Sequence, residues 1–355
     1  MTRERFEQIT SAYPRLKMAI IGDFCLDRYL EIDPSRAETS IETGLAVYNV
    51  ANVRAQAGAA GTVLNNLSAL GIGSLFPVGF AGDDGEGFEL LRELRRLAGV
   101  RVDRFFQTPL RHTFTYCKPL VLEGGSPPRE LNRLDTKNWT ATPTPVEARL
   151  CESIRALGGD VDAVLIMDQV DLPDTGVITG AVLREIEALV QRRSDLLVLA
   201  DSRRGLRGYP AVSMKMNASE LGMLLGSPRP PSSIDEVRTA AVQLAKRQGR
   251  YAFVTLAERG LVGAAPSGEA DHLPAMPLRG PIDIVGAGDA VSANLAAALA
   301  GGASLGEAME LANAAASVVI HQLGTTGTAS VQQLAAMLRC DGSDEATNNR
   351  PGCGM

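Results

Sequence analysis

Short apolar runs ending in Gly, Asp or Asn alternate along this chain with longer segments whose apolar residues recur every three to four positions. The runs "KMAIIGDF" (17–24), "SLFPVGFAG" (74–82), "AVLIMD" (163–168), "LLVLADS" (196–202), "VSMKMN" (212–217) and "YAFVTLAE" (251–258) predict strands, and 59–70, 84–97, 175–192 and 233–248 predict helices. Capping residues agree with this reading. Asp84 precedes a helix ending near Gly99, and Ser233 with Glu236, Ser304 with Glu307 and Ser330 with Gln333 carry capping-box spacing. Strands and helices alternating at these lengths predict an α/β fold, a mainly parallel sheet covered by helices on both faces in three layers.

Two stretches break the rhythm. Residues 41–56, "IETGLAVYNVANVRAQ", and 112–135, "HTFTYCKPLVLEGGSPPRELNRLD", read as extended strands with no helix between. In the second, Phe114, Tyr116, Leu120 and Leu122 fall on alternate positions and "EGGSPP" supplies a turn. They predict a small β-layer added to the core, with strands within about 28–57 and 112–135. Beyond Cys340 the chain has no apolar pattern, so residues 1–340 read as one domain and 341–355 as a disordered tail.

Composition narrows the partners. The net charge of -6 argues against nucleic acid or an anionic membrane, and leaves room for a local basic pocket. The five cysteines (Cys25, Cys117, Cys151, Cys340 and Cys353) form no C-x-x-C pair and the three histidines are scattered, so neither a disulfide framework nor a zinc site is indicated. No apolar run approaches a membrane span. A cytoplasmic protein is expected.

The candidate chemistry sits in "DIVGAGDAVSANLAAALAGG" (283–302). Small residues let backbone N–H groups approach a ligand, and the helix that follows carries partial positive charge at its start. Gly286, Ala287 and Gly288 can therefore cradle an oxyanion, with Asp289 as a base at its rim. Asp289 should be ionised at neutral pH, its reference pKa being about 3.9, unless burial raises it. The motif alone fits a tight turn with an acid in the first helical turn equally well. A P-loop and a dinucleotide fingerprint are absent.

Five ordered stretches decide between these readings. "DIVGAGD" resembles the D-x-x-G-A-G-D signature of the ribokinase-like, or PfkB, carbohydrate kinases. "AGAAGTVLNNLSALG" (57–71) resembles that family's glycine-rich N-terminal signature, and "VGFAGDDGEG" (78–87) its V-G-x-x-G-x-D-x-x-G segment. "NASE" (217–220) matches N-x-x-E, and "LANAAASVV" (311–319) resembles the small-residue helix beside the adenine. Within the family, "GDFCLDRYL" (22–30), "NRLD" (132–135) and "HQLGTTGTAS" (321–330) are similar to stretches of the D-glycero-D-manno-heptose 7-phosphate kinases, of which only the kinase domain is expected here.

The resemblance implies a ribokinase-like fold with a β-sheet lid that covers the sugar and often forms a homodimer contact. It also implies an ATP-dependent sugar or sugar-phosphate kinase, with Asp289 as the catalytic base and Gly286, Ala287 and Gly288 as the anion hole. Asn217 and Glu220, three apart on one helical face, would organise Mg2+ through water, although the residues alone fit a helix cap as well. Asn313 and Ala316, with Ala312 and Ala314, would border the adenine, and Gly260 the nucleotide. Asp23 and Asp27, at the end of the first strand, and Gly58 and Thr62 would meet the sugar. Arg28, Arg36, Lys118 and Arg133 are candidates for a substrate phosphate. A monovalent cation such as K+ beside 283–289 stays open.

The chain also departs from the pattern. Val285 stands where the heptose-type kinases commonly carry Thr, Ala59 and Thr62 replace Gly and Asn of the N-terminal signature, and the D-Y-x-K-G segment reads "DQVDL" (168–172), losing its Lys. The D-P-K counterpart reads "DSR" (201–203), keeping a cation in Arg203. Chemistry is expected to be intact and specificity changed. Two alternatives remain: a nucleoside kinase of the same superfamily, and a non-catalytic sugar-binding or regulatory protein on the kinase fold.

Overall fold

The computed structural model describes residues 1–125, 128–227 and 229–338, so the expected tail at 341–355 lies outside the described residues. Helix α1 (Arg3–Thr10) leads into β1 (Lys17–Gly22), a central core strand. Asp23 interrupts the run, and β2 (Phe24–Ile32) departs into the lid, so "KMAIIGDF" spans two strands rather than one. A hairpin of β3 (Glu38–Thr39) and β4 (Ala46–Val47) precedes β5 (Val50–Ala59), the antiparallel partner of β2. The chain re-enters the core through α2 (Ala60–Ala69), β6 (Ser74–Gly82), α3 (Gly85–Arg96) and β7 (Phe105–Thr108). It completes the lid with β8 (Phe114–Val121), β9 (Arg129–Glu130) and β10 (Leu134–Thr136).

The second half returns to strand–helix alternation: α4 (Thr144–Arg155), β11 (Ala163–Asp168), α5 (Gly180–Arg192), β12 (Leu197–Ser202), β13 (Ser213–Asn217), α6 (Ala218–Leu225), α7 (Ile234–Gln248) and β14 (Ala252–Thr255). An antiparallel pair, β15 (Leu261–Ala264) and β16 (Ala270–Leu273), precedes α8 (Ala287–Ala300), α9 (Leu305–Val319) and α10 (Val331–Met337). Among the described residues the main sheet runs β16, β15, β14, β13, β12, β11, β1, β6, β7, parallel from β14 to β7. The lid runs β10, β8, β2, β5, with β2 and β8 parallel. None of the described helices is long and apolar enough to cross a membrane.

The continuous apolar runs follow from burial on both faces. Along β1, Met18 and Ile20 pack towards α2, α8 and α9, while Ala19 and Ile21 pack towards α4 and α5. The expected helix 175–192 begins only at Gly180, because Thr179 Oγ1 caps it by accepting the Val182 amide. Helix α4 lay outside the sequence reading, although Val146, Leu150, Cys151 and Ile154 bury one helical face.

The segment "VGFAGDDGEG" is a joint between core and lid. Asp84 caps α3 by accepting the Gly87 amide (2.8 Å), and it also accepts the amide (3.0 Å) and hydroxyl (2.6 Å) of Thr113 at the start of β8. Losing a cap and two charge-assisted bonds should cost about 3 kcal/mol in Asp84→Ala. Urea unfolding measures this, and a loss below about 1 kcal/mol, the worth of an ordinary cap, would mean that the joint does not depend on Asp84.

Candidate active site

The candidate residues gather at the carboxyl ends of β1, β11, β12 and β13, where open α/β sheets hold ligands, with the lid beside them. The loop before α8 is built for close approach. Gly286 has φ +82°, and a Cβ there would come within 2.6 Å of Thr326 Cγ2 and 3.6 Å of Thr62 Cγ2. The Ala287 amide closes the turn on the Ile284 carbonyl at 3.2 Å, and Gly288 leads into the first turn of α8, where helical amides lack intrahelical partners. A Cβ on Gly288 would lie 3.1 Å from Lys215 Nζ.

Asp289 stands in that first turn. Its carboxyl is pushed up to about 7, chiefly by burial and then by the Asp201 charge, against the pull of Lys215. Burial thus brings in the exception that the sequence left open for an otherwise ionised acid. Lys215 is buried and bonds Asp201 Oδ2 at 2.7 Å, a carboxylate that also accepts from Ser292 Oγ at 3.2 Å. Burial alone would lower the Lys215 ammonium, but Asp201, with Asp289 and Glu220, holds it above its usual value. Asp201, Lys215 and Ser292 were not singled out in the sequence. The strand ends "DSR" and "KMN" are the signal that could have found them.

On the lid's inner face, Asp27 lies opposite Tyr116 and Gln56 in register, and Tyr29 opposite Lys118 and Arg54. Gly58 leaves room for the Asp27 carboxylate, which would stand 2.6 Å from a Cβ there. Burial raises Asp27, opposed by Lys118 and Gln56, and its charge reaches Asp289. Lys118 Nζ lies 3.4 Å from the Tyr29 hydroxyl. Gln56 donates to Thr326 Oγ1 at 2.6 Å, tying the lid to the residue beneath Gly286.

Three expected contacts are corrected. Both Asp23 oxygens are taken by backbone amides, Oδ1 by Val177 (2.7 Å) and Oδ2 by Gln169 (2.8 Å), so this buried carboxyl holds a loop rather than a sugar. Arg28 alternates to the lid's other face and pairs with Glu86 and Glu89 of α3 at 3.5 and 3.0 Å. Arg36 pairs with Asp33 in an exposed turn. Gly260 (φ +90°) is buried, and a Cβ there would strike the Leu273 carbonyl, so the backbone at this expected nucleotide contact requires glycine.

The nucleotide candidates are mixed. Asn217 and Glu220 form a reciprocal capping box, each side chain accepting the other's amide, at 2.8 and 2.9 Å. One Glu220 oxygen, Oε2, is used in this way. Asn313 donates to the Pro274 carbonyl (2.8 Å), Ala316 is half-buried, and Ala312 and Ala314 are buried within the helix packing of α9. The segment before the amide loop exposes Ile284 and Val285 and is pinned to the end of α9 by the Asp283 amide on the Ile320 carbonyl. Arg133 bonds Asp135 at 2.7 Å and lies over the Tyr116 ring. Two wider hollows, of 310 Å³ beside Arg207 and 660 Å³ between α6 and α7, contain none of the catalytic candidates.

The chain thus combines a parallel α/β core and a separate β lid with an acid and a buried lysine at one glycine loop. The chain belongs to the pfkB family of carbohydrate kinases, whose pattern matches residues 19–332. It is similar to the bifunctional protein HldE of Rhodospirillum rubrum, 33% identical over 337 residues, covering 93% of this chain and 64% of that protein. The bifunctional protein HldE of Bradyrhizobium sp. (strain ORS 278) is 30% identical over 329 residues, 92% of this chain and 64% of the relative. The chain thus spans under two thirds of the length of these relatives. In fold it is similar to Arabidopsis thaliana ribokinase, solved with ribose and ATP, with a TM-score of 0.64 at 18% identity over 91% of this chain and 99% of that one.

Proposed function

We propose that this protein transfers the γ-phosphoryl group of ATP to a hydroxyl of a sugar or sugar phosphate. The observation that carries the reading is the juxtaposition of Asp289, the Gly286–Gly288 loop and the Lys215 ammonium at the carboxyl ends of the central strands. A carboxylate with a pKa of about 7 matches a general base working at neutral pH. It would take the proton of the attacking hydroxyl, while the Gly288 amide and Lys215 oppose the charge on the transferring group. Asp27, Gln56 and Lys118 would accept from and donate to the sugar hydroxyls.

Glu220 and Asp201 lie close enough for each charge to matter to the other, and Glu220 is half-buried. Two carboxylates with spare oxygens fit Mg2+, which keeps most of its water and is held largely by substrate phosphates. That ion would neutralise charge on the ATP phosphates. Asn313 and Ala316 would border the adenine, with Ile284 as an apolar neighbour.

The test is ADP release from Mg-ATP across sugars, sugar phosphates and nucleosides. Turnover with one sugar class supports the reading; turnover confined to nucleosides replaces it with the nucleoside-kinase alternative. Measurable ATP binding with no turnover on any member favours the non-catalytic one. Strand β5 forms the lid's outer edge with Val50 and Val53 exposed, and such an edge invites pairing with a second copy. Light scattering at twice the chain mass is the expected result.

A further inference from the structure

Between the end of β16 and the turn at Gly286 the chain runs through residues 274–285 with no helix or strand. The backbone of such a stretch must find its partners elsewhere. Among the described residues, the hydrogen bonds that tie it to the rest of the fold go to α9 and the two residues just past it. Asn313 Nδ2 donates to the Pro274 carbonyl at 2.8 Å, the Arg279 amide donates to His321 Nε2 at 2.9 Å, and the Asp283 amide donates to the Ile320 carbonyl at 2.8 Å. The segment therefore hangs on α9 as a strap. His321 makes the middle tie. Its Nδ1 lies 2.7 Å from the Ser317 carbonyl, which can only accept, so the ring proton sits on Nδ1 and Nε2 is the bare nitrogen that receives the Arg279 amide.

Two observations connect the strap with the nucleotide. It runs straight into the 286–288 loop, and the Ile284 carbonyl closes that turn by accepting the Ala287 amide, so the anchorage of the strap fixes where the loop amides stand. It also leaves Leu278, Ile282, Ile284 and Val285 exposed. An apolar ledge beside an oxyanion loop suits a flat heterocycle whose phosphates lie on the loop. Asn313 uses its amide on the Pro274 carbonyl, so it too bears on the ledge through the strap.

We infer that His321 is a positioning residue for the nucleotide: its Nε2 holds the strap at Arg279, and the strap in turn sets the ledge beside the base and the amides beneath the phosphates. This rests on the kinase reading and adds a residue to its nucleotide site. His321 acts through the Arg279 amide and not by contact with the nucleotide.

Calorimetric titration of the full chain with Mg-ADP tests this. His321→Asn places an amide where Nδ1 stands and keeps a donor for Ser317, but it falls short of Arg279, so affinity should drop roughly five- to thirtyfold. His321→Gln carries its oxygen out to the Nε2 position and should bind close to the wild type. Measured against Arg279→Ala, which keeps the amide, Arg279→Pro removes the same bond from the strap's side without touching a core helix, and should lose a similar factor. Combining Arg279→Pro with His321→Asn should add little to either alone, because both act on one bond. In turnover with an accepted sugar, KM for ATP should rise in the weakened variants while KM for the sugar does not, a split that loss of stability alone does not produce. Unchanged Mg-ADP affinity in His321→Asn and Arg279→Pro, equal weakening in His321→Asn and His321→Gln, or additive losses in the combined variant overturns the inference. ADP release on a sugar in such a case leaves the kinase reading standing. The expected binding pattern with no ADP release on any sugar keeps the inference and removes the catalytic reading, and wild-type protein that binds no Mg-ADP removes both.

Discussion

Asp289→Asn is expected to lower kcat by about 10²–10⁴ while leaving the fold intact. The pH dependence of the wild type carries the same argument. With the carboxyl at about 7, the basic form is lost as pH falls through that value, so kcat/KM should decline on the acid side with a midpoint near there. Asp201 pushes Asp289 up and Lys215 pulls it down. Asp201→Asn should therefore move the acid limb to lower pH, and Lys215→Met to higher pH. There is a stability counterpart with a definite sign. Native Asp289 keeps its proton to higher pH than the unfolded chain does, so its ionisation opposes folding progressively from about pH 4 to 7. The asparagine variant should thus gain stability at pH 8 as it loses turnover, and chemical denaturation at pH 5 and 8 would reveal it. A variant that loses both sinks the assignment of Asp289 as a strained, functional acid.

Lys215→Met should combine a catalytic loss with a large structural one. Its ammonium is the nearest side-chain atom to where Gly288 would carry a Cβ, and removing a charge opposed to the transferring group typically costs about 10²–10³ in kcat. It also strands Asp201, whose side chain is only 13% exposed, and breaking such a pair costs about 3–5 kcal/mol. The double variant Lys215→Met, Asp201→Leu isolates the structural part, since Asp201 is itself a proposed neighbour of Mg2+. Replacing both members of a buried pair by apolar groups is close to neutral, so stability should largely return while activity does not. Recovery of activity in the double variant would assign Lys215 to structure alone.

The core was legible because burial on both faces writes continuous apolar runs, as at 17–22 and 163–168. The amide loop was legible because only glycine tolerates the Gly286 backbone and its approach to Thr326. The lid's facing was not. Arg28 and Asp27 are neighbours in sequence, and which of them turns inwards depends on where β2 leaves the sheet at Asp23. Asp23 itself reads as a free acid after a strand, and only the folded loop at 169–177 reveals two amides waiting for it. The missing lysine of 168–172 reads as altered specificity. That Asp171 in the same segment captures Lys137 from 34 residues away is a tertiary fact with no local signature.

The single-residue gap between β1 and β2 has a consequence for the order of folding. β1 is clamped between β6 and β11, whereas β2, one residue later, depends on β5 and on β8, with Cys25 set opposite Phe114. Bringing β8 to β2 closes a long loop, and that entropy is repaid only by lid contacts, so the lid sheet should assemble late. In native-state hydrogen exchange the amides of β2 and β8 should open at a lower free energy than those of β1. One uninterrupted stretch of chain would then hold both the most protected amides of the molecule and some of its early-opening ones, with Asp23 marking the boundary.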